Sequence, residues 1–312
     1  AATKAIAPYI EVGNLVILES TSPVKTTENI GEWLQEIRPD LKIPDEISIA
    51  HCPERVLPGK ILEELVSNSR VIGGIDSKSS EKAADFYSQF VKGKIFKTTA
   101  RTAELTKLAE NAFRDVNIAF ANEMSVICDQ LDVNVWELIA LANNHPRVNI
   151  LNPGPGVGGH CISVDPWFIV ASAPEEAKLI KAAREVNDAK PYHVVTTIQE
   201  KASQIQSPII ACLGLAYKAN TNDLRQSPAI KIVQLLVEKE IGQCLVVEPN
   251  IITLPESLQE LELVQLVNLE IAIEKADIIT LLVDHRQFKN LQQMISSQQI
   301  LIDTKGMLQK NL

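Results

Sequence analysis

The longest uninterrupted helical pattern in the chain runs from about Thr102 to Cys128, and no Gly or Pro breaks it. Its apolar residues recur at intervals of three or four: Leu105, Leu108, Ala109, Ala112, Val116, Ala119, Phe120, Val126 and Ile127. A helix of that length is well beyond the average of about 11–12 residues. The pattern therefore predicts a helix that spans domains or forms a subunit interface.

Short apolar runs alternate with helical patterns on both sides of this helix. Strands are predicted at residues 15–19, 47–50, 71–75 and 95–97, then at 209–215, 244–247, 278–283 and 300–302. Helices are predicted at 27–37, 77–90 (capped by Ser79 or Ser80), 135–143, 175–188 and 229–239, with Pro191 restarting the chain. Such alternation predicts an α/β fold with largely parallel sheets and helices outside.

The composition excludes several classes of protein. With 312 residues and 46% hydrophobic content, the chain can build folded cores. A net charge of -9 argues against a nucleic-acid binder, which needs a basic face, and no apolar run is long enough to cross a membrane. Five cysteines, an odd number, suggest reduced thiols in a cytoplasm. The chain opens at Ala1 in the middle of a helical pattern, without a secretion leader, so we expect a segment upstream.

Residues 149–166 form a Gly- and Pro-rich loop that contains Cys161 beside His160. A thiol in such a loop is either a nucleophile or a buried loop cysteine, and local sequence leaves both interpretations open. Cys128, Cys212 and Cys244 lie in apolar patterns and are predicted to be core thiols, whereas Cys52 is a weaker candidate nucleophile. A metal site from His51, Cys52, His160 and Cys161 would lack the usual ligand spacing.

Two further groups of polar residues could carry chemistry. Lys107 and Asn111 are four apart and share a helix face, which Glu104 and Asp115 extend; a solvated face is the ordinary interpretation. Gly214 lies at the end of a predicted strand, where ligands often bind, and Lys218 and Arg225 nearby are candidate anion partners. A simple tight turn at Gly214 is the equal alternative.

Five segments match, in order, motifs of the UDP-sugar 6-dehydrogenases. They are Glu19-Ser20-Thr21, Cys52-Pro53-Glu54-Arg55, residues 104–122 (ELTKLAENAFRDVNIAFAN), residues 156–166 (GVGGHCISVDP) and residues 214–228 (GLAYKANTNDLRQSP). The whole chain thus resembles the UDP-glucose/UDP-mannose dehydrogenase family. Residues 53–59 (PERVLPG), 145–149 (HPRVN) and 247–250 (VEPN) are similar to its UDP-N-acetyl-D-mannosamine dehydrogenase subgroup. Pro58 and Val164 stand where glucose-type members carry Glu and Lys.

The resemblance implies a reaction and assigns residues to it. UDP-N-acetyl-D-mannosamine would be oxidised to the uronate for surface polysaccharide synthesis, with NAD as cofactor and Cys161 forming a thiohemiacetal and then a thioester. The implied catalytic residues are Cys161, Lys107, Asn111, Asp165, Glu54 and Thr21. Substrate binding is implied for Arg147, Asn149, Gly158, Gly159 and Lys218, and cofactor binding for Thr21 and Arg225.

The resemblance also implies the domain organisation. Residues 1–100 would be the C-terminal part of an NAD-binding Rossmann domain, 101–200 a central helical dimerisation and catalytic domain, and 201–312 a Rossmann-like UDP-sugar-binding domain. The family's Gly-rich NAD loop would precede Ala1, so roughly one hundred residues are expected upstream. A cytoplasmic homodimer is implied, with Arg147 reaching the neighbouring subunit. The alternatives are a UDP-N-acetylglucosamine or UDP-glucose dehydrogenase, or a non-catalytic dimer that binds UDP-sugar.

Overall fold

The computed structural model describes residues 1–56 and 60–308. They form two compact units, Ala1–Ala112 with Asp165–Lys178 and Phe113–Val164 with Leu179–Leu312 as far as it is described. Leu57, Pro58 and Gly59 of the subgroup signature lie outside the described residues, as do residues 309–312 of the predicted third domain.

The described residues contain nine strands and eleven α-helices. The strands are β1 (Leu15–Leu18), β2 (Ser48–His51), β3 (Arg70–Gly74), β4 (Ile95–Thr99), β5 (Ile209–Leu213), β6 (Gln243–Val247), β7 (Val264–Leu266), β8 (Ile278–Leu281) and β9 (Ile300–Asp303). The helices are α1 (Ala2–Ile6), α2 (Thr26–Ile37), α3 (Ile61–Ser67), α4 (Ser77–Ser88), α5 (Ala100–Leu131), α6 (Val135–Ala142), α7 (Asp165–Ser172), α8 (Lys178–Ala202), α9 (Pro228–Glu238), α10 (Glu256–Gln259) and α11 (Leu269–Lys275). The predicted α/β fold with a long central helix is confirmed.

In the first unit, four strands lie in the order β1-β2-β3-β4. Their side chains alternate between two cores, because successive residues of a strand face opposite sides. Ile49 of β2 packs in the core that contains α2, and the next residue, Ala50, packs in the core that contains α4. The β1–β2 and β3–β4 pairs are parallel, but β2 and β3 run antiparallel. The period-2 pattern fixes the faces of a strand and leaves its direction open.

In the second unit, five parallel strands lie in the order β7-β6-β5-β8-β9. Cys212 and Leu213 of β5 belong to cores on opposite faces, so the central strand is buried on both sides. That double burial accounts for the nearly continuous apolar runs in the sequence. The chain leaves β5 first toward β6 and later toward β8, so a topological switch point lies between β5 and β8. Strand β7, with only three residues, has no counterpart among the predicted strands.

Helix α5 is 32 residues long and contributes its first residues to one unit and the rest to the other. In the first unit, buried Glu104 accepts hydrogen bonds from the Lys25 and Thr27 backbone N–H groups, both at 2.7 Å. These N–H groups lie at the start of α2, where a carboxylate stabilises the unpaired donors. Asp76 similarly caps α4 by accepting from Ser79 N, so the prediction of Ser79 or Ser80 as the cap was wrong.

Helix α8 continues through Pro191, and the prediction that the chain restarts there was wrong. Proline removes one helical hydrogen bond, a local loss that packing on both sides offsets. Asn187 and Lys190 bond to α5 just before the proline, and Val194 and Val195 enter the core just after it. The N-terminal part of α8 also starts at Lys178 rather than near residue 175.

The turn after β5 is bound by a buried carboxylate. Glu248, directly after β6, accepts from Leu215 N at 2.8 Å and Ala216 N at 3.0 Å, and its Oε2 lies 3.0 Å from His285 Nε2. Burial alone would raise the pKa of Glu248, but the hydrogen bonds from His285 and the two N–H groups lower it to about 2. The ionised carboxylate therefore stabilises the second unit.

We expect Glu248→Gln to lower the free energy of unfolding of the second unit at pH 7. The free energy of unfolding of the variant should also depend less on pH in the acid range. The folded pKa of about 2 lies below the ordinary value of 4.5, so this stabilisation is present above about pH 5 and is lost as the pH falls toward 2. Its size is roughly 3 kcal/mol. Urea unfolding at several pH values measures it, with exposed Glu260→Gln as the control. Parallel pH profiles for wild type and Glu248→Gln would contradict the prediction.

Candidate active site

Helix α5 carries two of the predicted catalytic residues of the first unit and contacts the segments that contain two others. Lys107 and Asn111 lie half-buried on α5, and Asn111 Nδ2 donates to Asp165 Oδ2 at 2.5 Å. Asp165 is the first residue of α7, a helix that the sequence analysis did not predict and that begins within the predicted loop of residues 149–166. Arg55 pairs with Glu110 on the same helix, so the segment that contains Glu54 also contacts α5. An amide, an ammonium group and two carboxylates thus belong to one assembly.

Glu54 is held by several donors at one carboxylate oxygen. Its Oε1 accepts from Arg55 N at 2.6 Å, Val56 N at 2.8 Å and Arg70 NH1 at 3.3 Å. Glu54 N donates to Glu19 O at 3.2 Å, which joins this segment to the one that contains Thr21. Thr21 is half-buried. Sequence reasoning did not single out Arg70, although a charged residue directly before an apolar strand was a usable signal.

The interpretation of Glu104 and Asp115 as a solvated face was wrong. Both are buried, Glu104 at the start of α2 in the first unit and Asp115 against α8 in the second. Asp115 Oδ1 lies 2.6 Å from Arg184 NH1 and accepts from Asn187 Nδ2 at 2.8 Å. Burial raises the pKa of Asp115, and Arg184 opposes that rise. The two carboxylates are buried because other helices supply their partners, α2 for Glu104 and α8 for Asp115.

This network extends to the Gly-rich loop. Asn187 Oδ1 accepts from Asn122 Nδ2 at 2.9 Å, and Asn122 Oδ1 accepts from Gly154 N at 2.9 Å. At the other end of the loop, Gly159 N donates to Arg225 O at 3.0 Å. The loop is therefore fixed to helix α5 on one side and to the 214–228 segment on the other.

Gly158 and Gly159 lie against Tyr217. A Cβ at Gly158 would lie 2.6 Å from Gln226 O, and one at Gly159 would lie 2.9 Å from the Tyr217 ring. Gly159 also has φ +84, a left-handed conformation that favours glycine. Two of the sequence motifs thus meet in space, and their glycines permit the close approach.

Cys161 is exposed, whereas Cys52, Cys128, Cys212 and Cys244 are buried. The three predicted core thiols are thus confirmed as buried. Burial raises the pKa of Cys52 to about 11, which makes it a poor nucleophile at neutral pH. Arg225 and Tyr217 lie close enough to Cys161 to interact with it electrostatically. A cationic neighbour favours the thiolate that a nucleophilic role requires.

A pocket opens at the carboxyl ends of β5, β8 and β9, beside the switch point of the second sheet. Its polar lining includes Tyr217, Lys218, Asp284 and Lys305, and Gly156 and Pro228 form part of its wall. Lys305 Nζ lies 3.7 Å from Asp284 Oδ1. Crevices at switch points of α/β sheets bind nucleotides, and two lysines suit a phosphorylated ligand. Sequence reasoning missed Lys305, although its place just after β9 was a usable signal.

The remaining predicted binding residues lie in two exposed segments. Arg147 and Asn149 are exposed, in a loop that Asn143 brackets by accepting from Ile150 N at 2.7 Å and donating to Ile150 O at 3.0 Å. Arg225 pairs with Asp223, with NH2 and Oδ2 2.6 Å apart. The Gly214 turn, considered as a ligand contact, already donates its two following N–H groups to Glu248.

The first sheet offers a place for a dinucleotide. In the parallel β1–β2 pair, Leu18 lies opposite His51, so the Thr21 and Glu54 segments leave the sheet at the same edge. Nucleotides bind outside the carboxyl ends of such strands, and the polar residues at this edge fit NAD. Among the described residues, no helix is both long and apolar enough to span a bilayer. No metal-holding group of three or more His, Cys, Asp or Glu residues occurs in the same part of the chain.

Three family models match the chain, all of the UDP-glucose/GDP-mannose dehydrogenase family. The NAD binding domain matches residues 1–91, the central domain residues 101–189 and the UDP binding domain residues 211–310. The NDP-N-acetyl-D-galactosaminuronic acid dehydrogenase of Ralstonia nicotianae is 58% identical, over 98% of this chain and 73% of its own length. The UDP-N-acetyl-D-mannosamine dehydrogenase of Campylobacter jejuni is also 58% identical, over 93% of this chain and 73% of its own length.

A solved structure is similar as well. The UDP-D-ManNAc dehydrogenase from Pyrococcus horikoshii superimposes with a TM-score of 0.86 at 40% identity, over 98% of this chain and 72% of that one. The likeness in sequence and the likeness in structure thus point to the same family.

We expect Gly159→Ala to destabilise the second unit much more than Gly154→Ala. The left-handed φ alone costs a residue with a Cβ about 1–2 kcal/mol, and the contact with Tyr217 adds to it. A Cβ at Gly154 meets only the flexible end of Lys305, at 3.5 Å, so that variant is a matched control in the same loop. Urea unfolding of both variants checks the difference. Equal stabilities would show that the loop adjusts to a side chain at position 159.

Proposed function

Because the chain belongs to the UDP-glucose/GDP-mannose dehydrogenase family, we propose that it oxidises the C6 hydroxyl of UDP-N-acetyl-D-mannosamine to a carboxylate, with NAD as the oxidant. The observation that carries the proposal is Cys161, an exposed thiol in a loop that is fixed against Tyr217 and Arg225. In domain terms, residues 1–100 belong to the NAD-binding domain, 101–200 to the central domain and 201–312 to the UDP-sugar-binding domain.

Cys161 is the nucleophile of the second half of the reaction. NAD, when bound, supplies the hydride acceptor for both oxidations. An aldehyde does not readily give up its hydrogen as hydride until a nucleophile has added to the carbonyl carbon. The thiolate of Cys161 adds there and gives a thiohemiacetal. Its oxidation leaves a thioester on Cys161, which water cleaves to release the uronate and the thiol.

Lys107, Asn111 and Asp165 act on the substrate's C6 oxygen, on which negative charge develops during the reaction. Lys107 and Asn111 donate to it from one face of α5, and such donors matter most when negative charge develops. Asp165 fixes the Asn111 amide through its hydrogen bond of 2.5 Å and handles a proton or a water. Glu54 is the base that activates water for thioester hydrolysis, and Thr21 holds that water.

The substrate and cofactor contacts follow the same assignment. Lys218, with Lys305 in the same pocket, binds the diphosphate of the UDP-sugar, and the backbone at Gly158 and Gly159 approaches the substrate. Arg147 and Asn149 complete the sugar-nucleotide contacts. Thr21 and Arg225 contact NAD.

The protein acts as a homodimer through α5. Phe113, Phe120 and Ile127 lie seven residues apart on this helix and are 73%, 49% and 40% exposed. Residues at that spacing form one stripe, which a second copy of the same helix can cover. Arg147, exposed in its loop, reaches the site of the partner.

The product is a nucleotide-activated uronate, a donor for surface polysaccharide synthesis in the cytoplasm. Turnover of a panel of UDP-sugars tests the substrate assignment, since the Ralstonia relative is named for an N-acetylgalactosaminuronic acid. Preference for UDP-N-acetylglucosamine or UDP-glucose would replace it with one of those substrates. Binding without turnover of any sugar in the full-length protein would identify a non-catalytic dimer.

We expect Cys161→Ser to stop the full-length enzyme before it completes the four-electron oxidation. A serine hydroxyl is a far weaker nucleophile than a thiol at neutral pH, so thioester formation fails. NADH released per UDP-sugar consumed measures this, with buried Cys128→Ser as the control. Wild-type stoichiometry and rate in Cys161→Ser would remove Cys161 from the nucleophile role.

We expect Arg147→Ala to weaken UDP-sugar binding, and mixing it with Cys161→Ser to restore part of the activity. In a heterodimer, one of the two sites has both an intact Cys161 and an intact Arg147 from the other copy. Exposed Lys201→Ala serves as the control for loss of a surface cation. A lack of complementation despite demonstrated subunit exchange would mean that Arg147 serves its own chain.

A further inference from the structure

Arg70 is a buried arginine that contacts the segment of Glu54. The proposed reaction assigns it no role. Arg70 is the first residue of β3, and its side chain is 1% exposed. Its NH1 donates to Glu54 Oε1 at 3.3 Å, and its NH2 donates to Leu65 O at 3.1 Å. A buried guanidinium is costly without an anion, and Glu54 supplies the only carboxylate that pairs with it among the described residues.

Tyr87 of α4 joins Arg70 to the second segment. The guanidinium carbon of Arg70 lies 5.7 Å from the centre of the Tyr87 ring, within the range of a cation–π contact. The Tyr87 hydroxyl donates to Glu19 Oε1 at 2.5 Å. Burial raises the pKa of Tyr87, and the hydrogen bond to Glu19 raises it further, so the hydroxyl remains a donor. Glu19 directly precedes Ser20 and Thr21.

The segments that contain Thr21 and Glu54 are therefore held by the buried side chains of Tyr87 and Arg70, and they are also bonded to each other. Glu54 N donates to Glu19 O at 3.2 Å, and Cys52 N donates to Leu18 O at 3.0 Å. Those backbone bonds set the path of the chain but leave the Glu54 carboxylate free to rotate. Arg55 N and Val56 N hold Oε1 of that carboxylate from its own segment. The Arg70 fork, with NH2 on Leu65 O and NH1 on the same Oε1, adds a buried cation that fixes the carboxylate relative to β3.

We propose that Arg70 is a positioning residue for the hydrolysis of the Cys161 thioester, with Tyr87 holding the Thr21 segment in the same arrangement. The proposal rests on the proposed function. In this step, water attacks the thioester carbonyl, a C–O bond forms, and the C–S bond breaks. Glu54 takes a proton from the water, and the Cys161 thiolate is the leaving group. Arg70 touches none of the reacting atoms and acts only through Glu54.

The chemistry predicts that Arg70 affects the second half of the reaction selectively. Misplacement of a catalytic group by about 1 Å can cost about a hundredfold in rate. Lysine at position 70 keeps the charge but has a single nitrogen on a flexible stem, so it cannot hold Glu54 and Leu65 O in the geometry of the planar guanidinium fork. Formation of the thioester does not use Glu54 and is expected to proceed at the normal rate.

The test is the lifetime of the acyl-enzyme in Arg70→Lys. The full-length enzyme is mixed with UDP-N-acetyl-D-mannosamine and NAD, excess substrate is removed, and intact-protein mass spectrometry follows loss of the Cys161 adduct. We expect loss to be about ten- to a hundredfold slower than in wild type. NADH released in the first turnover should still be two per site. Arg101→Lys, an exposed arginine paired with Glu28 in the same unit, is the matched control.

Two further variants separate positioning from folding. Tyr87→Phe keeps the ring but loses the hydroxyl bond to Glu19, and we expect a several-fold slower loss of the adduct. In the double variant Glu54→Gln/Arg70→Lys, the adduct should be lost no more slowly than in Glu54→Gln alone, because Arg70 acts through Glu54. A purely structural role would lower the fraction of active sites and leave the rate of adduct loss unchanged.

The outcomes distinguish failure of the positioning role of Arg70 from failure of the proposed dehydrogenase mechanism. Wild-type adduct lifetimes in both Arg70→Lys and Tyr87→Phe would overturn the positioning role while leaving the dehydrogenase assignment intact. Additive effects of Glu54→Gln and Arg70→Lys would also overturn it. If Glu54→Gln protein, in which hydrolysis is slowed, forms no adduct on Cys161 while it oxidises substrate, the proposed mechanism falls and the role of Arg70 falls with it.

Discussion

A buried line of polar contacts between α5 and α8 is the interaction on which the Cys161 loop depends. It runs from Arg184 through Asp115, Asn187 and Asn122 to the backbone N–H of Gly154, and each step is a hydrogen bond of 2.6 to 2.9 Å. A buried ion pair contributes little net stability, but removing one partner costs about 3–5 kcal/mol because a charge is left alone. The network thus penalises any packing of α8 that would misplace the loop.

In the first unit too, buried residues hold the residues that are proposed to react. The groups proposed to react or to bind, such as Thr21, Glu54, Lys107 and Asn111, are half-buried, whereas the groups that hold them are buried. Exposure lets a side chain meet a ligand, and burial fixes the direction from which its support acts. Glu104 shows the principle at its simplest, because a buried carboxylate on α5 fixes the start of α2 through backbone N–H groups.

Sequence alone predicted the features that periodicity and composition determine. Eight of the nine described strands, most helices, the long α5, the three core thiols and the candidacy of Cys161 as a nucleophile follow from patterns that are local to the chain. Strand direction is not local, so the antiparallel β2–β3 pair could not be predicted. The continuation of α8 through Pro191 could not be predicted either, because it depends on contacts with α5 and with the core of the second unit that contains Val194. Asp115 was misjudged for the same reason, since its partner Arg184 is distant in the chain.

In the second unit, a carboxylate of the protein occupies the turn after the first strand of the sheet. In a dinucleotide-binding sheet, the N–H groups of that turn meet the pyrophosphate, and an acidic residue after the second strand binds a ribose. In the second unit, Glu248 holds the position after β6 and turns onto the N–H groups of Leu215 and Ala216. Its carboxylate thereby takes the place of a phosphate. A nucleotide in this pocket would meet side chains instead, and the proposed function assigns the positive charge to Lys218 and Lys305, which line it. In the second unit an internal anion thus occupies the N–H groups that a pyrophosphate meets in a dinucleotide-binding sheet, which leaves the side chains of the switch-point pocket to meet a ligand.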